Sequence, residues 1–126
     1  MKVVIDGNRV IAALIKESTT REIILDSIFE FIAPEFILIE VKKYRDEIIK
    51  KAKITEEEFE ILLGIIFENI KIIPKEDYEN FIFKIEKEIN DKKDLPYIAV
   101  AVYSNAYGIW SHDTDFLKQS KIPCLK

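Results

Sequence analysis

At 126 residues, 48% hydrophobic and 33% charged, the chain has the length of one domain (1–126) and enough apolar content for a core, which excludes a disordered tail. Its 23 acids against 19 bases give a formal net charge of −4, opposite to the basic footprint usual for a nucleic-acid-binding domain. Neither a signal peptide nor an apolar run near the roughly 18–20 residues of a membrane span is evident, and the single Cys124 cannot form an internal disulfide, so a soluble protein of the reducing cytoplasm is expected.

Ile supplies 24 residues, Lys outnumbers Arg 16 to 3, and Gln occurs once. This balance fits the ion-paired surface of a thermophile's protein; an AT-rich genome favours the same residues.

In chain order, Val3-Val4-Ile5 is a continuous β-branched run ending at Asp6, as expected of a strand buried on both faces. A helix is predicted from Asn8 to about Lys16, and a second over roughly 20–29, capped by Ser18-Thr19-Thr20 and burying Ile23, Ile24 and Ile28. Phe31-Ile32-Ala33 is a strand closed by Pro34. One helix then runs from Glu35 to about Ala52 with Leu38, Val41, Ile48 and Ile49 inward. Thr55 and Glu58 form a capping box for a helix burying Phe59, Leu62, Leu63, Ile66 and Phe67. Ile70–Ile73 is a third strand, ended by Pro74. Asp77 is placed to cap a helix carrying Tyr78, Phe81, Ile82, Ile85 and Ile89. Asp94 is placed to cap an almost wholly apolar helix from Tyr97 to Tyr103, with Pro96 tolerated in its first turn. Asn105 to Gly108 stops it, Gly108–Ser111 is a fourth strand, and Pro123–Leu125 a short fifth.

Strands alternating with helices predict an α/β fold with a parallel sheet of four to five strands and right-handed crossovers. Ligands of such sheets bind beyond the strands' carboxyl ends, at a topological switch point. Asp6 ends the first strand, Asp113 follows the fourth with Asp115 two residues on, and Asp94 opens the most buried helix; all three should meet at one edge. Glu40, on the Phe36/Ile37/Tyr44 face of a helix that begins right after a strand, can reach the same edge. Clustered carboxylates repel one another unless a cation neutralises them. Oxygen-only ligands suit Mg²⁺ or Mn²⁺, whereas one His and one Cys cannot make a usual zinc site. The implied chemistry is metal-assisted phosphodiester hydrolysis. Singly, each acid has a plainer role: a helix cap for Asp94, turns for Asp113 and Asp115, a solvated helix position for Glu40. Asp6 is the least easily explained that way, because an acid ending a buried strand is costly without a partner.

Four segments resemble the PIN-domain nucleases, which include the VapC-like toxins of toxin–antitoxin pairs. They are Val4-Ile5-Asp6-Gly7-Asn8, Pro34 to Val41 with Glu40, Asp91 to Ala101 with Asp94, and Trp110-Ser111-His112-Asp113-Thr114-Asp115-Phe116. The resemblance implies a three-layer α/β/α fold, commonly homodimeric, that cleaves single-stranded RNA. It implies Asp6, Glu40, Asp94 and Asp113 as the acids around one or two Mg²⁺ or Mn²⁺ ions, with Asp115 as an outer or alternative ligand, Asn8 bracing Asp6 or a metal-bound water, and Asp91 in support. A toxin of this kind would have an antitoxin partner. Gly7 departs from the more usual Ala or Thr, which would loosen the strand exit.

Lys92, Lys93 and His112 flank these acids and could contact an RNA backbone. The cluster Lys42, Lys43, Arg45, Lys50, Lys51 and Lys53 is interrupted by Asp46 and Glu47 and fits a solvated helix face. Tyr44 and Tyr97 fit packing better than base stacking. The alternative function is a non-catalytic PIN-like scaffold of RNA processing. A phosphoacceptor receiver domain is excluded by Gly7 and Asn8, which stand where its paired acids are needed.

Overall fold

Val3, Val4 and Ile5 are almost wholly excluded from solvent, as a strand covered on both faces must be. In the computed structural model they lie in strand β1 (Lys2–Ile5), at the centre of a five-stranded sheet. The structure describes residues 1–15, 18–26, 28–88, 92–111 and 124–125. Strands β2 (Glu30–Pro34), β3 (Ile70–Ile73), β4 (Gly108–Trp110) and β5 (Cys124–Leu125) complete the order β3-β2-β1-β4-β5. Every pairing is parallel, and Val4 stands opposite Ile32 on one side and Ile109 on the other. The chain thus steps outward from β1 to β2 to β3, then returns past β1 to β4 and β5. The switch point falls between β1 and β4, and Asp6 and Ser111 are the first residues beyond those two strands.

Helices α1 (Gly7–Ile15), α2 (Ser18–Asp26), α3 (Phe36–Lys43), α4 (Arg45–Ala52) and α5 (Glu56–Phe67) form one group. In it α1 packs against the other four. Helices α6 (Lys75–Ile85) and α7 (Leu95–Tyr103) form another, with α7 against β1, β2 and β4 and α6 against α7. The result is the expected three-layer α/β/α arrangement. The predicted burial of α7 on several sides holds: Leu95, Tyr97, Ile98, Ala99, Val100 and Ala101 are all buried. Asn105 ends this segment with a left-handed backbone, φ 52°. Among the described residues no helix is long and apolar enough to cross a membrane.

Some boundaries differ from expectation. The helix predicted over 35–52 is two helices, because Tyr44 leaves helical geometry at φ −100°, ψ 12°. Ile37 and Val41 of α3 and Ile48 of α4 are all buried in the core, while Leu38 is left exposed. Helix α2 ends at Asp26, so Ile28 falls outside it and is 94% exposed; Ile24 is the buried residue, and Ile23 is exposed. Helix α6 starts at Lys75 with Asp77 inside its first turn. Its cap comes from forty residues away: Glu35 Oε1 accepts from the Lys75 backbone N–H at 2.6 Å. The capping box of α5 forms as expected, with both Thr55–Glu58 hydrogen bonds at 3.0 Å. In α5, Phe59 and Ile66 are buried, whereas Leu62, Leu63 and Phe67 are half-buried. Ile89 lies outside the described residues.

Candidate active site

Two neighbouring strands fix the first part of the site. Asp6 follows β1, and its backbone N–H donates to Trp110 O at 3.1 Å, carrying the ladder one residue past the strand. Its side chain, only 4% exposed, accepts at Oδ2 from the Ser111 hydroxyl at 2.7 Å. Ser111 is wholly buried, so this hydroxyl is held in place by the end of β4. Asp6 also stands where α1 begins, and the positive end of a helix dipole favours an acid there.

Glu40 arrives from the other side of the sheet. Helix α3 begins two residues after β2, and Phe36, Glu40 and Tyr44 are stacked on one face at i, i+4 spacing. Glu40 Oε1 accepts from the Tyr97 hydroxyl at 2.7 Å. Tyr97 is 1% exposed, and the Phe36 ring meets it edge-on at 6.3 Å between centroids. Burial pushes the Tyr97 phenol far above its ordinary pKa; the Glu40 charge and hydrogen bond, and then the Asp6 charge, push the same way. The phenol therefore remains a hydrogen-bond donor.

Asp94 stands at the N-cap of α7, one turn before Tyr97, and is 5% exposed. Its side chain makes no capping hydrogen bond, so the simple cap role does not account for it. Asp6, Asn8, Glu40, Tyr44, Lys93, Asp94 and Tyr97 line a common cavity of about 200 Å³. The expected convergence of Asp6, Glu40 and Asp94 is therefore present as a shared cavity. Asn8 and Lys93 also line it and are exposed, as is the adjoining Lys92. The Ser111 hydroxyl braces the Asp6 carboxylate. Asp91, His112, Asp113 and Asp115 lie outside the described residues.

Gly7 corrects an expectation about slack. A Cβ there would collide with Glu40 Oε1, and would stand 2.9 Å from the Tyr97 hydroxyl and 3.0 Å from Glu40 Cδ. The glycine is a place of close approach, and it leaves the space that Glu40 occupies.

Three carboxylates with no His or Cys among the lining residues make a hard-oxygen set that fits Mg²⁺ or Mn²⁺. Among the described residues, no group of three or more His, Cys, Asp or Glu side chains is close enough together to hold one ion. Any ion therefore depends on two of these acids, on water, or on acids outside the described set. Sequence reasoning gave no role to Ser111 and assigned Tyr44 and Tyr97 to packing rather than to the site. For Tyr97 a signal existed: three residues past Asp94 on a helix is the same face.

A family model of the PIN domain matches residues 4–121. The chain belongs to the PIN-domain family. That is a family of nucleases. Among solved structures it is similar in fold to one described as the crystal structure of VapBC2 from Rickettsia felis bound to a DNA fragment from their promoter. That match has a TM-score of 0.70 at 17% identity and covers 98% of this chain and 97% of the other. No curated protein sequence matches the chain.

Proposed function

We propose that this PIN domain is an endoribonuclease that hydrolyses phosphodiester bonds of single-stranded RNA with Mg²⁺ or Mn²⁺, and that it acts as the toxin of a toxin–antitoxin pair. The observation that carries the proposal is the cavity at the β1/β4 switch point, where Asp6, Glu40 and Asp94 converge and protein hydroxyls orient two of the three. Asp6, Glu40, Asp94 and Asp113 would surround one or two ions, some of them through water, with Asp115 further out and Asp91 in support. When bound, a divalent ion supplies the Lewis acidity and charge neutralisation that phosphodiester hydrolysis needs. Lys93 lines the cavity and would hold a phosphate beside the acids, with Lys92 and His112 following along the backbone. Tyr44 lines it at the break between α3 and α4, where its ring could border a base.

The net charge of −4 does not oppose an RNA substrate. Setting aside Asp6, Glu40, Asp94 and Asp113 from the 23 acids leaves 19, equal to the 19 bases. The likeness to the VapBC2 complex supports an antitoxin as protein partner. Homodimerisation is the family expectation; α2 and α5 leave Ile23, Leu25, Ile61 and Ile65 exposed as a candidate surface for it.

Asp6→Asn and Asp94→Asn should each abolish cleavage of a single-stranded RNA in Mn²⁺ while leaving the thermal midpoint unchanged or raised without metal. Undiminished cleavage by both variants overturns the mechanism. Absence of cleavage and of Mn²⁺ binding at millimolar metal by the unaltered protein would favour a non-catalytic scaffold.

A further inference from the structure

Glu40 differs from the other two cavity acids in how it is held. Asp6 and Asp94 are fixed by backbone at a strand end and a helix start. Glu40 has a longer side chain and lies in the second turn of α3, half-buried. Three torsions separate its carboxylate from the backbone, and each extra rotamer costs entropy when the group must be held in one place. Two contacts remove that freedom. The Tyr97 hydroxyl donates to Oε1 at 2.7 Å. Beside it, the hydrogen-only face of Gly7 leaves room for the same oxygen where any Cβ would collide. Tyr97 in turn has little freedom: it is 1% exposed, sits one turn into α7 and abuts the Phe36 ring of α3.

We propose that Tyr97 is a positioning residue that aims the Glu40 carboxylate into the cavity, and that Gly7 is the matching half of this clamp. The inference rests on the metal-binding reading above and deepens it by giving Tyr97 and Gly7 a specific, testable role in metal affinity. Tyr97 touches no substrate in this scheme; it acts through Glu40. Its position one turn after Asp94 couples two acids, since a single helix sets Asp94 at its start and, through Tyr97, the carboxylate of Glu40. Groups that orient metal ligands typically change metal affinity by about 10–100-fold when removed.

The test is calorimetric titration of the intact chain with Mn²⁺, comparing the unaltered protein with Tyr97→Phe, Gly7→Ala, Glu40→Gln and the double variant Tyr97→Phe/Glu40→Gln. Thermal midpoints are measured without metal. Tyr97→Phe keeps the buried ring and removes the hydroxyl that donates to Glu40, so it should weaken Mn²⁺ binding by about tenfold or more. In the Glu40→Gln background the same change should have little further effect. Gly7→Ala, whose Cβ meets the Glu40 carboxylate and the Tyr97 hydroxyl rather than backbone, should weaken Mn²⁺ binding in the same direction. A purely structural tyrosine would lower the thermal midpoint and act equally in both backgrounds, and that result overturns the proposal. So does an unchanged Mn²⁺ affinity in Tyr97→Phe when the unaltered protein binds the ion. If the unaltered protein binds no Mn²⁺, the functional reading itself fails, and this inference with it. If Tyr97→Phe does not fold, Gly7→Ala alone decides by the same criteria.

Discussion

Ser111→Ala isolates the contact between the ends of β1 and β4. The substitution deletes one hydroxyl from a wholly buried position and leaves Asp6, 4% exposed, without its 2.7 Å donor. A hydrogen bond to a charged group contributes about 1.5–3 kcal/mol, and the cost of stranding a buried acceptor falls in the same range. The oxygen removed is small, so the cavity left behind adds little. For a chain of this length, 1 kcal/mol corresponds to roughly 3–6 °C in Tm, so a drop of about 5–15 °C is expected by calorimetry without metal. Asp6→Asn supplies the control. An amide side chain needs the serine less, so Ser111→Ala should cost clearly less in that background, giving a coupling energy of about 1 kcal/mol or more. A fall in Tm below about 2 °C, or an equal fall in both backgrounds, would refute the claim that Ser111 supports the carboxylate.

Two further predictions concern the frame around the site. Thr55→Ala removes one half of the α5 capping box and should destabilise the protein by about 1 kcal/mol, read as a shifted urea midpoint at unchanged m-value. Tyr78 has its pKa raised above 10.0 by burial and then by the Glu35 charge. Its phenol thus stays protonated in the folded chain while the unfolded chain ionises from about pH 10 upward. Stability from this group is complete below that pH and declines as pH rises through it, by at most about 1.4 kcal/mol per pH unit. Tyr78→Phe should flatten this alkaline decline, as seen in denaturant midpoints between pH 9 and 11; an unchanged slope would show that Tyr78 ionises equally in both states.

Local chemistry was legible wherever it is governed by neighbours in sequence. The β-branched run Val3-Val4-Ile5 dictates a strand covered on both faces, and the Thr55–Glu58 spacing dictates a capped helix. The apolar stretch after Asp94 dictates a buried helix, because no face of it could be solvated cheaply. Alternation of these elements gave the parallel α/β class, and the class gave the shared edge on which Asp6, Glu40 and Asp94 meet.

Other features depend on groups far apart in the chain. The break at Tyr44, where the backbone leaves helical geometry, has no local signal of the kind Gly or Pro gives. The cap of α6 comes from Glu35 rather than Asp77, since β2 and β3 lie side by side and bring Glu35 to the start of α6. Asp6 meets Ser111 across 105 residues, and Glu40 meets Tyr97 across 57. Sequence alone determined which acids were available and at which strand ends they stand, because burial and periodicity are local properties. Only the tertiary structure decided which hydroxyls hold them and why residue 7 is glycine, because those contacts exist only once strand order brings the ends of β1, β4 and α7 together around Glu40.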